Sequence, residues 1–250
     1  MSIEYAAAAG IARITLNRPE KRNAITREMM SSLRDALQQS AEDSTVRVLL
    51  IRGTGKDFCA GLDLSEVLKS AEEPDQALAS ARRLGDLYIA MRRHPKPIIA
   101  AVHGRALGGG AGIATASDLI LAAESAQFGY PEVKLGFIPG IVFTMLQRAV
   151  NERQAMELAL TGEPLSASRA HALGLINRVY ADSEFDASVE SYVAVLAAQS
   201  ATAMNLSKAL LYETDGMTFE ASIEAGVQAN IQARKTDDFK RGVERFLKKS

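Results

Sequence analysis

The chain has 250 residues, of which 47% are hydrophobic and 24% are charged, a composition that is typical of a folded globular protein and excludes a disordered one. Its 29 Lys and Arg residues against 30 Asp and Glu leave a net charge of −1, which gives no overall field for nucleic acid or an anionic membrane. The longest apolar stretches fall far short of the roughly 20 residues that cross a bilayer, so no membrane-spanning segment is predicted.

The cysteine and histidine content and the N-terminal residues exclude further kinds of protein. The single cysteine, Cys59, cannot form an internal disulfide, and three scattered histidines give no metal-ligand spacing. Residues Met1 to Gly10 lack the basic flank and apolar core of an export signal. We therefore expect a cytoplasmic protein that has no metal site and no membrane or nucleic-acid partner.

The first hundred residues alternate between strand and helix patterns. Residues Ile11 to Leu16 alternate apolar and polar side chains, which predicts a half-buried strand, and Val46 to Ile51 predict a fully buried one. Between them, Thr26 is a candidate N-cap for a helix with apolar residues at helical spacing. A second helix is predicted from Pro74, and Pro95 ends it.

Two more apolar runs, Pro97 to Val102 and Leu119 to Ala122, are typical of strands that are covered on both faces. The alternation of strands and helices predicts an α/β fold. After about residue 183 the pattern becomes helical, and Asp238 to Lys249 predict a terminal amphipathic helix that needs a partner surface. We therefore divide the chain into a core, residues 1–190, and a helical C-terminal region, residues 191–250.

The densest unusual feature is a run with five glycines in nine residues, Gly104 to Gly112, directly after a predicted strand. A helix that follows this run would present free backbone N–H groups, which suit an anion or a developing oxyanion. The other interpretation is that the glycines permit close packing or a strained turn. The run matches neither the dinucleotide pattern G-x-G-x-x-G nor the P-loop, which argues against nucleotide binding.

A second loop, Gly53 to Leu64, also follows a predicted strand. In this loop Asp63 is a candidate cap for the next helix, and Ala60-Gly61 would let a ligand approach the main chain closely. Cys59 is interpreted as a small buried apolar residue and not as a nucleophile, because no histidine lies near it in sequence.

A third segment, Phe128 to Gly140, carries Glu132 among apolar and turn residues. Such surroundings raise the pKa of a carboxyl group toward neutrality, as a general acid or base requires. From this segment alone, a solvated glutamate or a partner of Lys134 is the preferred interpretation.

Together these segments resemble the enoyl-CoA hydratase/isomerase family, the crotonase superfamily, over nearly the whole chain. Four motifs carry the resemblance in order and spacing: Leu16-Asn17-Arg18-Pro19 with Asn23-Ala24, Phe58 to Leu64, His103 to Asp118, and Pro131-Glu132 to Gly140. The resemblance implies a crotonase-like spiral of ββα units and a helical C-terminal region that builds trimers, often paired into hexamers. It also implies an acyl-CoA substrate, with coenzyme A as part of the thioester and no permanently bound cofactor.

The resemblance also assigns roles to individual residues. The backbone N–H groups of Leu62 and Gly109 would form an oxyanion hole for the thioester carbonyl, and Glu132 would transfer a proton. The main chain of Ala60 matches the adenine-binding position. Further contacts with coenzyme A are implied for Lys21 and Arg22 at its phosphates, and for Phe246 and Lys249 from the same or a neighbouring subunit.

One position departs from the family pattern. Typical hydratases of the family use two glutamates, and the position of the first is Gly112 here, so only Glu132 remains of the pair. Two carboxylates divide the proton transfers of hydration conveniently, whereas one suffices to move a double bond. Some family hydratases for branched or carboxylated enoyl-CoA resemble this one-glutamate pattern, so hydratase and isomerase both stay open. Two matched residues are expected to be structural, Asp118 at a helix-to-strand turn and His103 beneath the glycine run.

Three other functions fit less well. A hydrolase needs a nucleophile beside the oxyanion hole, and neither G-x-S-x-G nor a serine next to the glycine run is present. The sequence has no motif of aromatic and basic residues that would indicate RNA binding. A non-catalytic acyl-CoA-binding protein would lose the base, whereas Glu132 is retained. We therefore expect an enzyme, with the acyl-CoA-binding protein as the alternative.

Overall fold

The computed structural model describes residues 1–248, which form two sheets, eleven α-helices and three short 3₁₀ helices. The strands of this part of the chain are β1 (Ile3–Ala8), β2 (Ile11–Leu16), β3 (Val48–Gly53), β4 (Ile98–Val102), β5 (Arg105–Leu107), β6 (Leu119–Ala123), β7 (Gln127–Gly129), β8 (Leu165–Ser166) and β9 (Arg178–Tyr180). Its helices are α1 (Arg27–Glu42), α2 (Leu64–Ala71), α3 (Pro74–Arg93), α4 (Gly109–Ala116), α5 (Gly140–Ala149), α6 (Glu152–Thr161), α7 (Ala167–Ala172), α8 (Phe185–Ala197), α9 (Ala201–Glu213), α10 (Phe219–Arg234) and α11 (Asp237–Leu247).

The larger sheet has the strand order β1-β2-β3-β4-β6-β9, and the smaller one has the order β5-β7-β8. In the larger sheet β1 is antiparallel to β2, and the other neighbours are parallel. The predicted α/β class is therefore confirmed. Because β2, β3 and β4 run parallel, the loops that follow them leave the same edge of the sheet. The first three of the four motifs lie in or begin at these loops, and the fourth follows β7 of the smaller sheet.

The central strands are buried on both faces. All residues from Ile98 to Val102 are at most 2% exposed, and so are Val48 to Ile51. Since successive side chains of a strand point to opposite faces, this burial requires cover on both sides. Helices α1 and α8 supply part of that cover, because α1 packs on β2 and α8 packs on β2, β3 and β6.

Helix starts follow local chemistry that the sequence predicts. The Thr26 side chain accepts a hydrogen bond from the Met29 backbone N–H at 3.2 Å, and Asp63 accepts one from the Ser65 N–H at 3.1 Å. Helix α3 begins at Pro74 as predicted, because a proline at the first helical position lacks only an N–H that would have no intrahelical partner. Both predicted caps are therefore confirmed.

Five strands are not predicted by the sequence: β1, β5, β7, β8 and β9. The edge strand β1 is largely exposed, so its residues lack the apolar alternation that marks a half-buried strand. Strands β5, β7 and β8 have two or three residues each, and they form because distant segments pair, such as Ala106 with Phe128. The helix at the glycine run is also longer than predicted, because α4 begins inside the run at Gly109.

The part of the chain after residue 183 is helical, as predicted. Helix α9 is held to the body by Lys208, whose buried Nζ lies 2.8 Å from the Asp118 carboxylate and donates to two backbone carbonyls. The division that we predict near residue 190 falls inside α8, and it stays a prediction. Within residues 1–248, no helix is both long enough and apolar enough to cross a membrane.

Candidate active site

Two backbone N–H groups meet where the loop after β3 approaches the start of α4. In a single parallel bridge, Ile25 donates to the Gly61 carbonyl at 2.8 Å and accepts from the Asp63 N–H at 2.9 Å. The N–H of Leu62 itself therefore points away from Ile25. Gly109 is the first residue of α4, where backbone N–H groups have no intrahelical partner.

The distance between these segments is short. A Cβ placed on Gly109 would lie 3.7 Å from the Leu62 nitrogen, and one placed on Gly61 would lie 3.8 Å from the Gly109 nitrogen. The chain therefore brings together the two residues whose N–H groups, by the family resemblance, would form an oxyanion hole. Neither N–H donates to another backbone group in the described part of the chain.

Asn23 fixes the loop that carries Leu62. It is fully buried, and its side-chain oxygen accepts from the Arg18 N–H at 2.8 Å. Its amide nitrogen donates to the carbonyls of Thr54 and Asp57 at 2.9 and 2.8 Å. Its φ is +55°, a conformation that asparagine adopts more readily than most residues. One side chain thus connects the loops that follow β2 and β3.

Ion pairs hold the same loops. Asp57 is 3% exposed and accepts from the Arg105 guanidinium at 2.7 and 2.9 Å, which ties the loop to β5. Asp63 pairs with Arg18 at 2.7 Å. Hydrogen bonds from Ser65 and Arg18 lower the pKa of Asp63 to about 2, so this carboxylate is a poor proton acceptor.

Glu132 lies on the other side of the start of α4. It belongs to a short 3₁₀ helix, Pro131–Leu135, and its Oε1 would lie 3.0 Å from a Cβ placed on Gly108. Its Oε2 is buried and has no hydrogen-bond partner among the described residues. Burial raises the pKa of Glu132 above its ordinary value. A carboxylate with one unpaired buried oxygen, beside the residue that precedes Gly109, is suited to accept and return a proton.

Position 112, where typical hydratases of the family carry the other glutamate, is filled by neighbouring side chains. A Cβ on Gly112 would lie 2.1 Å from the hydroxyl oxygen of Tyr88 and 2.6 Å from the Val142 side chain. Tyr88 is 1% exposed, and it comes from α3. Position 112 therefore has no room for any side chain while Tyr88 keeps its place.

The residues predicted to contact coenzyme A are only partly brought together. The Ala60 N–H donates to the Arg22 carbonyl at 3.0 Å, so Ala60 lies beside the loop of Lys21 and Arg22, whose side chains are exposed. Phe246 is exposed on α11, which packs on α9 and α10. Lys249 lies outside the described residues.

Three further expectations can be compared with the structure. Cys59 is fully buried, and burial raises the pKa of its thiol to about 12, so it is an inert packing residue as predicted. Asp118 accepts the Ile98 N–H at 2.7 Å at the helix-to-strand turn, as predicted. The ring of His103 lies 3.1 Å from the Gly55 carbonyl and close to Phe185, and its packing beneath the glycine run stays a prediction.

Four residues that shape the site have no role assigned to them from the sequence: Asn23, Asp57, Arg105 and Tyr88. Asn23 belongs to the first of the four family motifs, and an asparagine in a turn was the sequence signal that could have indicated its structural role. Asp57 and Arg105 form their ion pair across 48 residues, and neither stands in a local pattern. Tyr88 carries only the apolar spacing of a core residue. These contacts arise from tertiary packing.

Comparisons with known proteins identify the family of the chain. The family model described as enoyl-CoA hydratase/isomerase matches residues 6–250. The 1,2-epoxyphenylacetyl-CoA isomerase of Escherichia coli strain K12 is 35% identical over 96% of this chain and 93% of its own length. The 2,3-dehydroadipyl-CoA hydratase of the same strain is 32% identical over 94% of this chain and 91% of its own length. The two relatives are an isomerase and a hydratase at similar identity.

The fold comparison is equally close. The crystal structure of an enoyl-CoA hydratase from Mycobacterium smegmatis superimposes with a TM-score of 0.96 and 31% identity, covering 100% of this chain and 97% of the other. The predicted crotonase-like α/β fold is thereby confirmed, and so is the predicted enzyme class. Proteins of this family act on coenzyme A thioesters. The chain belongs to the enoyl-CoA hydratase/isomerase family.

Proposed function

We propose that this enzyme stabilises the enolate of an acyl-CoA thioester between the N–H groups of Leu62 and Gly109, and that Glu132 moves the proton. The observation that carries the proposal is the buried, unpartnered Glu132 Oε2 beside Gly108, one residue before the second donor. No other candidate base serves as well, because Asp63 is held by Arg18 and the Cys59 thiol is buried.

The proton transfer follows from this arrangement. Glu132 takes a proton from carbon, and the electrons of the C–H bond move through the conjugated system onto the thioester oxygen. Two fixed N–H donors stabilise that oxyanion, and losing one such donor typically costs about 2.7 to 4 kcal/mol of barrier. Return of the proton to a different carbon shifts the double bond. Addition of water to the conjugated thioester passes through the same enolate, with Glu132 as the single carboxylate.

Coenzyme A is placed by the loops that carry Ala60, Lys21 and Arg22. The hydrogen bond from Ala60 to Arg22 holds the adenine-binding main chain next to two exposed cations. Exposed apolar side chains on the segments that follow Glu132 and Leu62 are suited to an acyl chain: Val133, Leu135, Phe137, Ile138, Leu64 and Leu68. Phe246 and Lys249 would reach coenzyme A from a neighbouring subunit.

The assembly that we propose is a homotrimer or a dimer of trimers, built by the helical C-terminal region. Its support is a row of exposed apolar residues on α10, Phe219, Ile223, Val227 and Ile231, and a second row on α11. A cytoplasmic location and the division into residues 1–190 and 191–250 stay predictions from the sequence.

The test is an assay of purified protein with panels of 2-enoyl-CoA and 3-enoyl-CoA thioesters, with products identified by mass. A product heavier by one water identifies a hydratase, and a rearranged product of unchanged mass identifies an isomerase. If every thioester remains unchanged but binds in calorimetry, the enzyme proposal is contradicted and the acyl-CoA-binding alternative is supported.

A further inference from the structure

The Tyr88 side chain reaches from α3 to the first turn of α4. Its hydroxyl donates a hydrogen bond to the Gly109 carbonyl at 2.8 Å, and the residue is 1% exposed. Burial raises the pKa of the Tyr88 phenol, so the hydroxyl stays protonated and remains a donor across the working pH range. This contact involves Gly109, whose N–H is the second donor of the proposed oxyanion hole.

The segment that receives this hydrogen bond cannot fix itself with side chains. Residues 108–110 are three consecutive glycines, which lose more conformational freedom on ordering than any other residue type. Gly108 has φ +49° and ψ −119°, outside the helical region. Within residues 1–248, the Tyr88 hydroxyl is the only side-chain group that hydrogen-bonds to the backbone of these glycines. The direction of the Gly109 N–H therefore depends on contacts from outside the run.

Tyr88 also defines the next turn of α4. A Cβ on Gly112 would meet the Tyr88 hydroxyl oxygen at 2.1 Å and its ring carbon Cζ at 2.6 Å. The hydroxyl end of Tyr88 thus lies against α4 at two residues without side chains, the first and the fourth of the helix. Such a close approach leaves the hydroxyl little freedom to choose another partner.

We propose that Tyr88 is a positioning residue, which holds Gly109 so that its N–H is directed at the thioester oxygen. The hydroxyl fixes the Gly109 carbonyl, and the N–H on the other side of the same Cα is oriented with it. The inference rests on the proposed function, because the oxyanion hole is part of that function. It assigns Tyr88 to oxyanion stabilisation through Gly109, without contact with the substrate.

The experiment compares wild type, Tyr88→Phe and Tyr5→Phe. Tyr88→Phe keeps the ring and removes the donor, whereas Tyr5→Phe removes a buried hydroxyl that has no hydrogen-bond partner in the described chain. The probe is cinnamoyl-CoA, whose conjugated thioester absorbs at longer wavelength when its carbonyl is polarised. Steady-state kinetics with the substrate found in the thioester panel give kcat and KM for each protein.

The expected result is a red shift of bound cinnamoyl-CoA in wild type and Tyr5→Phe, and a smaller shift in Tyr88→Phe. Tyr88→Phe is also expected to lose kcat about tenfold with little change in KM, since one hydrogen bond is lost. A purely structural role would lower the melting temperature and leave both the red shift and kcat of the folded enzyme unchanged, and that outcome overturns the inference.

Failure of the inference differs from failure of the proposed function. No red shift in wild type refutes the oxyanion hole and the role of Tyr88 with it, whereas a full shift in both wild type and Tyr88→Phe refutes only the role of Tyr88. If Tyr88→Phe does not fold, Gly112→Ala tests the same contact, because its Cβ must displace the Tyr88 hydroxyl. The same loss of red shift and kcat is then expected, and wild-type values for both would contradict the inference.

Discussion

Glu132 lies where its protonation state governs proton transfer. One oxygen is buried without a partner among the described residues, and burial raises the pKa of the carboxyl above that of an exposed glutamate. Because the base is the deprotonated form, kcat/KM is expected to fall as the pH drops through this raised pKa. A profile of kcat/KM against pH measures this acidic limb. A limb that persists in Glu132→Gln, or one at the pKa of an exposed glutamate, contradicts the role of Glu132.

Asn23, a fully buried residue, stabilises two loops through three side-chain hydrogen bonds. Asn23→Ala leaves the Arg18 N–H and the carbonyls of Thr54 and Asp57 without these partners. The expected loss is about 3 kcal/mol in the free energy of unfolding, at about 1 kcal/mol for each hydrogen bond. Urea unfolding measures it, with Asn177→Ala as the control, since that side chain accepts a single hydrogen bond elsewhere. Equal losses of unfolding free energy in both variants would contradict the role of Asn23 in stabilising the two loops.

The start of α4 depends on the conformation of Gly108. At φ +49° an alanine is strained, and its Cβ would lie 3.0 Å from Glu132 Oε1. Gly108→Ala is therefore expected to cost about 1 to 3 kcal/mol in stability and to lower kcat, because both Glu132 and the adjacent Gly109 N–H are displaced.

The matched control for Gly108→Ala is Gly216→Ala. Gly216 has φ +87°, and a Cβ there would meet nothing within 4 Å, so the substitution introduces similar backbone strain away from Glu132. Thermal unfolding is expected to show a loss for both variants, and kinetics a loss for Gly108→Ala only. Full activity of a folded Gly108→Ala would mean that the helix start does not position the catalytic groups.

Elements with local signals could be predicted from the sequence. Thr26 and Asp63 cap helices through backbone groups two or three residues away, and the buried strands carry their apolar runs. The candidate site could be located because its loops follow these strands. The contact of Tyr88 with Gly109 could not, because it joins two elements across 21 residues and leaves only an apolar spacing in the sequence. Strands β5, β7 and β8 are missed for the same reason.

The whole molecule exposes apolar rows on α10 and α11, and we expect association to cover them. Light scattering should give three or six times the chain mass of 26.8 kDa. Ile223→Lys, in the α10 row, is expected to reduce the mass toward one chain, because a buried unpaired charge is costly. Gln228→Lys on the polar side of the same helix is the control. A monomeric wild type, or a trimeric Ile223→Lys, would contradict this use of the surface.

The central claim is that Glu132 transfers the proton beside a backbone oxyanion hole. The most direct measurement is the turnover of Glu132→Gln, with its affinity for the same enoyl-CoA measured by calorimetry. Our account predicts that kcat falls by about 10² to 10⁴, the usual contribution of a general acid or base, while the affinity stays close to that of wild type. Turnover of Glu132→Gln at the wild-type rate would contradict the account.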